Sequence, residues 1–85
     1  MSYFVYILQS LEDGSYYVGS TQDLTPRIER HNQGRSKYTK AKRPWDLVYC
    51  EEHIDRASAM KREREIKDKK SRDNIDKLVR TSRQL

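Results

Sequence analysis

The 85-residue chain predicts an α+β domain, a three-stranded antiparallel sheet flanked by helices in the order β-β-α-β-α-α. Three observations carry that prediction. "YFVYIL", residues 3–8, is aromatic or aliphatic at every position, as a central strand covered on both faces would be. Asp13-Gly14 is a good two-residue hairpin turn, and the strand-like run "YYVGS" follows it. Beyond that hairpin, segments with apolar residues at helical spacing alternate with one more β-type run, "WDLVYCEEH".

The remaining elements follow from their end signals. In "DLTPRIERHNQ", Asp23 can cap a helix, Pro26 fits its first turn, Leu24 and Ile28 face the core, and Gly34 stops it. "RSKYTKAKRP" is a basic loop, and Pro44 leads into the third strand. Residues 55–70 form a second helix with Asp55 as its cap. Ser71 caps a third, with Ile75, Leu78 and Val79 at core spacing. Residues 1–80 are expected to form one domain, and 81–85 a disordered tail.

Only 34% of the chain is hydrophobic and 36% is charged, which suffices for one modest core. Basic residues exceed acidic ones by 18 to 13, and the excess is local. Between Arg27 and Arg43 stand seven basic residues (Arg27, Arg30, Arg35, Lys37, Lys40, Lys42 and Arg43) and one acid, Glu29, a local +6 against a net +5 for the whole chain. Such a block suits a polyanion, most often nucleic acid, although a solvated basic loop has the same composition. A single cysteine, Cys50, allows no disulfide framework or zinc cluster within one chain and reads as a buried thiol in a reducing compartment. No apolar run approaches the ~20 residues of a membrane span, and the N-terminus lacks the basic start of a secretory signal. The expected location is the cytoplasm.

Several chemistry-bearing residues converge. With Asp13-Gly14 as the turn, Tyr17 falls opposite Ser10 and Gly19 opposite Leu8. Tyr6, Leu8 and Ser10 then share a face with Tyr17 and Gly19. Arg27 and His31 are four apart and point the same way from their helix. In "RASAMKREREIKDKK", Glu63 lies within about 60° of Ala59, Met60 and Ile66, whereas Glu65 lies roughly 160° from the middle of that group. An inward carboxylate needs a cation or a metal. The plainer alternatives are that tyrosine favours strands, that His31 packs or caps, and that Glu63 pairs with Arg27 or a lysine.

At these residues the chain resembles the GIY-YIG nuclease superfamily, over about residues 3–70. The first motif stands as "FVY", residues 4–6, and the second as "YVG", Tyr17 to Gly19. Arg27, His31-Asn32 and Glu63 follow in order. "RPWDLVY", residues 43–49, further resembles the compact, single-domain bacterial members of UPF0213 type. "FV" replaces "GI" and Val18 replaces Ile; the first of these departures is shared by many compact members.

The resemblance implies a metal-dependent endonuclease that hydrolyses phosphodiester bonds in DNA, structure-specific and suited to repair or recombination. The alternative is a non-catalytic nucleic-acid-binding module on the same fold. The resemblance also implies one Mg²⁺ (or Mn²⁺) held by Glu63, since a hard ion that keeps several waters needs few protein oxygens. Arg27 would clamp the phosphate. Tyr6, Tyr17 and His31 would share the roles of base, relay and positioner. Gly19 would let the substrate backbone approach. Arg35, Lys37, Tyr38, Lys40, Lys42 and Arg43 would contact nucleic acid.

Overall fold

The computed structural model of the chain describes residues 2–35, 37, 39–68 and 72–83. The elements are β1 (Tyr3–Ser10), β2 (Tyr16–Thr21), α1 (Leu24–Asn32), β3 (Trp45–His53), α2 (Arg56–Asp68) and α3 (Arg72–Arg83), with a short 3-10 turn at Lys40–Lys42. This is the expected order. The sheet runs β2-β1-β3 with both pairs antiparallel.

β1 is central because it is apolar on both faces. Val5, Tyr6, Ile7 and Leu8 are all buried. Strand alternation sends Val5 and Ile7 to one face, where Val18, Ala59, Ile66 and Val79 close a core under α2 and α3. Tyr6 and Leu8 go to the other face, with Trp45 and the α1 residues Leu24 and Ile28. Ile7 pairs with Tyr49 and Leu8 with Leu47, so Val48 is an extra residue, a bulge in β3. The bulge lets Val48 and Tyr49 both pack under α2 and α3 while Leu47 and Trp45 serve the α1 face.

The hairpin register differs from expectation by two residues. Leu8 pairs with Tyr17 and Tyr6 with Gly19. The turn is four residues long, closed by Ser10 N donating to Ser15 O at 2.8 Å. Ser10 Oγ accepts from the amides of Glu12 and Asp13, which stabilises the wider loop. A shift of two preserves side-chain parity, so Tyr6, Leu8, Tyr17 and Gly19 remain on one face.

Helix ends follow local chemistry with one exception. Gly34, at φ +78°, lies in the left-handed region, and the amides of Gly34 and Arg35 return to the carbonyls of His31 and Arg30. Asp55 Oδ1 caps α2 through the Ser58 amide at 2.8 Å. Asp23 occupies the N-cap of α1 without a side-chain cap bond. Thr21 braces that corner instead, accepting from the Asp23 amide and donating to its carbonyl. The expected Ser71 cap lies outside the described residues. α3 continues through Arg83, past the expected boundary at residue 80, and Thr81 Oγ1 donates to Lys77 O within it.

Two burial expectations fail. Met60 is half exposed, because Ala59 and Ile66 alone among the apolar α2 residues reach the sheet core. Cys50 is exposed on β3. Among the described residues no helix is long and apolar enough to cross a membrane.

Candidate active site

The expected site residues divide into two layers around the end of edge strand β2. The first layer lies between the sheet and α1. Tyr6, on β1, is 1% exposed and its hydroxyl meets His31 Nε2 at 3.2 Å. His31 Nδ1 meets Thr39 Oγ1 at 2.8 Å. Tyr17 packs on the His31 ring at 4.9 Å between centroids, and its far edge meets Trp45. Trp45 in turn donates from Nε1 to Thr39 O at 2.9 Å.

This layer needs its glycine. A Cβ on Gly19 would stand 2.6 Å from Tyr6 Oη and 3.2 Å from Tyr17 Cε2. The space over Gly19 is therefore filled by Tyr6, and the glycine serves the tyrosine rather than an approaching substrate. Gly19→Ala should displace the Tyr6 hydroxyl from His31 and cost about 1–3 kcal/mol, as overpacked cores do. Chemical denaturation beside the wild type measures that loss. A fully stable variant with the Tyr6 environment unchanged would contradict this packing.

His31 does not look outward with Arg27, as its spacing suggests. α1 packs Leu24 and Ile28 on the sheet, and His31 continues that stripe into full burial. Burial, helped by the positive charges of Arg27 and Arg30, holds the imidazole pKa below its usual value, so it is neutral at pH 7. Burial also raises the Tyr6 pKa, and the Tyr17 and Glu63 charges add to that while Arg27 opposes them. The pair is thus a neutral phenol against a neutral imidazole. Asn32, next in the chain, ties α1 to β3 by accepting from Trp45 N at 2.6 Å and donating to Trp45 O at 3.1 Å.

The second layer is an open cleft formed by the end of β2, the first turns of α1 and one face of α2. Arg27 and Glu63 both line it, with Ser20 and Lys67 beside them. Glu63 reaches the cleft from α2, on the sheet face opposite the tyrosines. Ser20 Oγ donates to Glu63 Oε1 at 2.6 Å, and Lys67 Nζ donates to Oε2 at 2.6 Å. Of the plainer alternatives for Glu63, the pair with Arg27 is not formed but a pair with a lysine is, Lys67 at 2.6 Å. Arg27 is exposed and makes no ion pair among the described residues. Glu65 faces away, paired loosely with Arg62 at 3.6 Å. The helical reading that separates the two glutamates therefore holds.

A hard divalent cation fits Glu63. A carboxylate has about four lone-pair positions, and Ser20 and Lys67 take two. Lys67 is half exposed and can swing aside. Among the described residues no group of three or more His, Cys, Asp or Glu gathers to hold a metal. One carboxylate beside open solvent suits an ion that keeps most of its waters.

The basic loop is less uniform than its sequence. Arg35, Lys37 and Lys40 are exposed. Lys42 instead pairs with Asp13 at 3.4 Å, at the hairpin end of the sheet. Tyr38 lies outside the described residues. Sequence reasoning missed Thr39, which is fully buried and orients His31, and Ser20, which holds Glu63. A threonine in a lysine-rich loop carries no signal of burial, whereas Ser20 directly follows the "YVG" motif.

Comparison with known proteins bears on the family and the fold. A family model described as the GIY-YIG catalytic domain matches residues 2–76. A UPF0213 protein of Staphylococcus aureus (strain Mu3) is 49% identical over 67 residues, spanning 78% of this chain and 80% of that protein. The UPF0213 protein SA0446 of strain N315 matches to the same extent. The solution NMR structure of the UPF0213 protein BH0048 from Bacillus halodurans is similar at a TM-score of 0.61 and 38% identity, covering 95% of this chain and 85% of that one. The family model, these relatives and the shared fold lead to one assignment: the chain belongs to the GIY-YIG catalytic-domain family, among its UPF0213 proteins.

Proposed function

We propose that the chain is a divalent-metal-dependent endonuclease that hydrolyses phosphodiester bonds in DNA, working in the cytoplasm on structured substrates of the kind met in repair or recombination. One observation supports this above the others: Arg27, with no acidic partner among the described residues, and Glu63, a carboxylate with spare lone pairs, line the same cleft. Arg27 offers its planar fork of donors to the phosphate oxygens. Glu63 holds the cation, which when bound neutralises charge growing on the phosphoryl and leaving oxygens. Tyr6 and His31 form the proton path behind the cleft. With the Nδ1 proton donated to Thr39, His31 Nε2 accepts the Tyr6 proton as Tyr6 oxygen takes one from the attacking water. Thr39 fixes the tautomer, and Tyr17 holds the imidazole plane.

The second reading, a non-catalytic nucleic-acid-binding module, draws on one observation: both Glu63 oxygens already have protein partners. Incubation of the purified chain with end-labelled single-stranded, duplex, flapped and four-way-junction DNA, in Mg²⁺, Mn²⁺ or EDTA, separates the two. Cleavage of a branched substrate that EDTA stops is the expected result. Binding without cleavage under every condition favours the module.

A further inference from the structure

We propose that nucleic acid is tracked along α2 rather than along the Arg35–Arg43 loop, with Arg56, Lys61 and Arg64 of α2 holding successive phosphates beside Arg27. This rests on the nucleic-acid reading above. At about 100° per residue, Arg56, Met60, Glu63, Arg64 and Lys67 fall within roughly 100° of one another, and Lys61 borders them. All six residues line the cleft that holds Arg27. Arg56, Lys61 and Arg64 form no ion pair among the described residues, and Arg56 and Lys61 are exposed. Cations free of acidic partners on a cleft wall are what a phosphate backbone needs. Met60 is 52% exposed between Arg56 and Arg64, a large apolar side chain on an otherwise charged face. It offers a contact for sugar or base that a phosphate-only surface would not require.

Three of the loop cations, Lys40, Lys42 and Arg43, are engaged within the fold, whereas Arg35 and Lys37 are exposed. Lys42 holds Asp13, and its own carbonyl accepts from Ser10 Oγ at 2.6 Å. The guanidinium of Arg43 and the stem of Lys40 lie over Gly34 at the C-terminal end of α1, where helix carbonyls favour positive charge. Ser10 and the cleft residue Tyr3 are the two ends of β1, roughly 23 Å apart at strand rise. Lys42 is therefore at the far end of the sheet from Glu63.

The test is fluorescence anisotropy with a labelled DNA hairpin carrying a single-stranded tail, in EDTA so that no cutting occurs. Binding is followed from about 50 to 200 mM salt, the range in which phosphate contacts show. Arg56→Gln/Lys61→Gln/Arg64→Gln should weaken binding at least about tenfold and reduce the salt slope by about 2–3, close to one for each phosphate no longer held. Lys37→Gln/Lys40→Gln/Lys42→Gln should reduce the slope by less than about 1. Circular dichroism checks that each is folded, and Arg64→Gln alone should give about one third of the slope change. A large fall in slope for the loop variant with none for the α2 variant overturns the path and leaves the nuclease reading intact. Wild-type protein with no salt-dependent DNA binding overturns both.

Discussion

Glu63→Gln should lose metal-dependent cleavage by about 10³-fold or more, because the cation's charge stabilisation is worth several kcal/mol. DNA binding in EDTA should survive. The same substitution should hardly affect the apo fold. Its cationic partner is Lys67, four residues along α2 and half exposed, and such pairs contribute only about 0.3–0.5 kcal/mol. Glutamine keeps an oxygen to accept from Ser20. A loss below about 1.5 kcal/mol is therefore expected in metal-free denaturation. Had Glu63 been the buried partner of Arg27, its removal would have stranded a cation at roughly 3–5 kcal/mol. Glu65→Gln should change neither activity nor stability. An unfolded Glu63→Gln protein, with strong coupling to Arg27→Ala in a double-mutant cycle, would make Glu63 structural and its inactivity uninformative. Loss of cleavage in Glu65→Gln instead would shift the site by two residues.

Tyr6→Phe should lower the cleavage rate by about 10²–10⁴-fold, the range for loss of a positioned acid–base group. The phenyl ring keeps the packing over Gly19, so the loss would belong to the hydroxyl. It leaves His31 Nε2 without its partner, at a cost of about 1–3 kcal/mol in stability. The pH profile distinguishes relay from mere packing. His31 must be neutral to accept the proton, and burial keeps its pKa below the usual value. Wild-type activity should therefore stay level as pH falls to about 6.5 and decline only below that, when the imidazole takes a proton. In Tyr6→Phe the residual rate should no longer follow that decline. A variant within a few-fold of wild type, with the same profile, would make Tyr6 a packing residue only.

The fold is legible in the sequence because local signals agree with one another. β3 runs from Trp45 to His53 as its composition indicates, and Gly34 and Asp55 end and begin helices as their chemistry requires. The hairpin departs by two residues because Ser10 recruits the amides of Glu12 and Asp13, and a side-chain bond into a turn overrides the Asp-Gly signal. Glu63 is legible from helical geometry alone, since Ala59 and Ile66 fix which face of α2 is inward. For His31, packing is legible from its stripe with Leu24 and Ile28, but its partner Thr39 is not, being eight residues away in a loop whose lysines suggest only solvent. Arg56, Lys61 and Arg64, which make no ion pair among the described residues, look in sequence like an ordinary solvated face. Which basic residues have partners is decided by tertiary contacts such as Lys42 with Asp13, and spacing carries no trace of that.

Everything proposed for the chemistry depends on Glu63 and Arg27 bounding one metal-and-phosphate site at the end of β2. Mn²⁺ titrated into isotope-labelled protein tests this most directly, because a bound paramagnetic ion broadens nearby amide signals. Broadening should centre on Ser20, Thr21 and Glu63, extend to Arg27, spare Asp13 and Lys42, and vanish in Glu63→Gln. Broadening centred elsewhere, or unchanged when Glu63 is replaced, would contradict a metal site at Glu63.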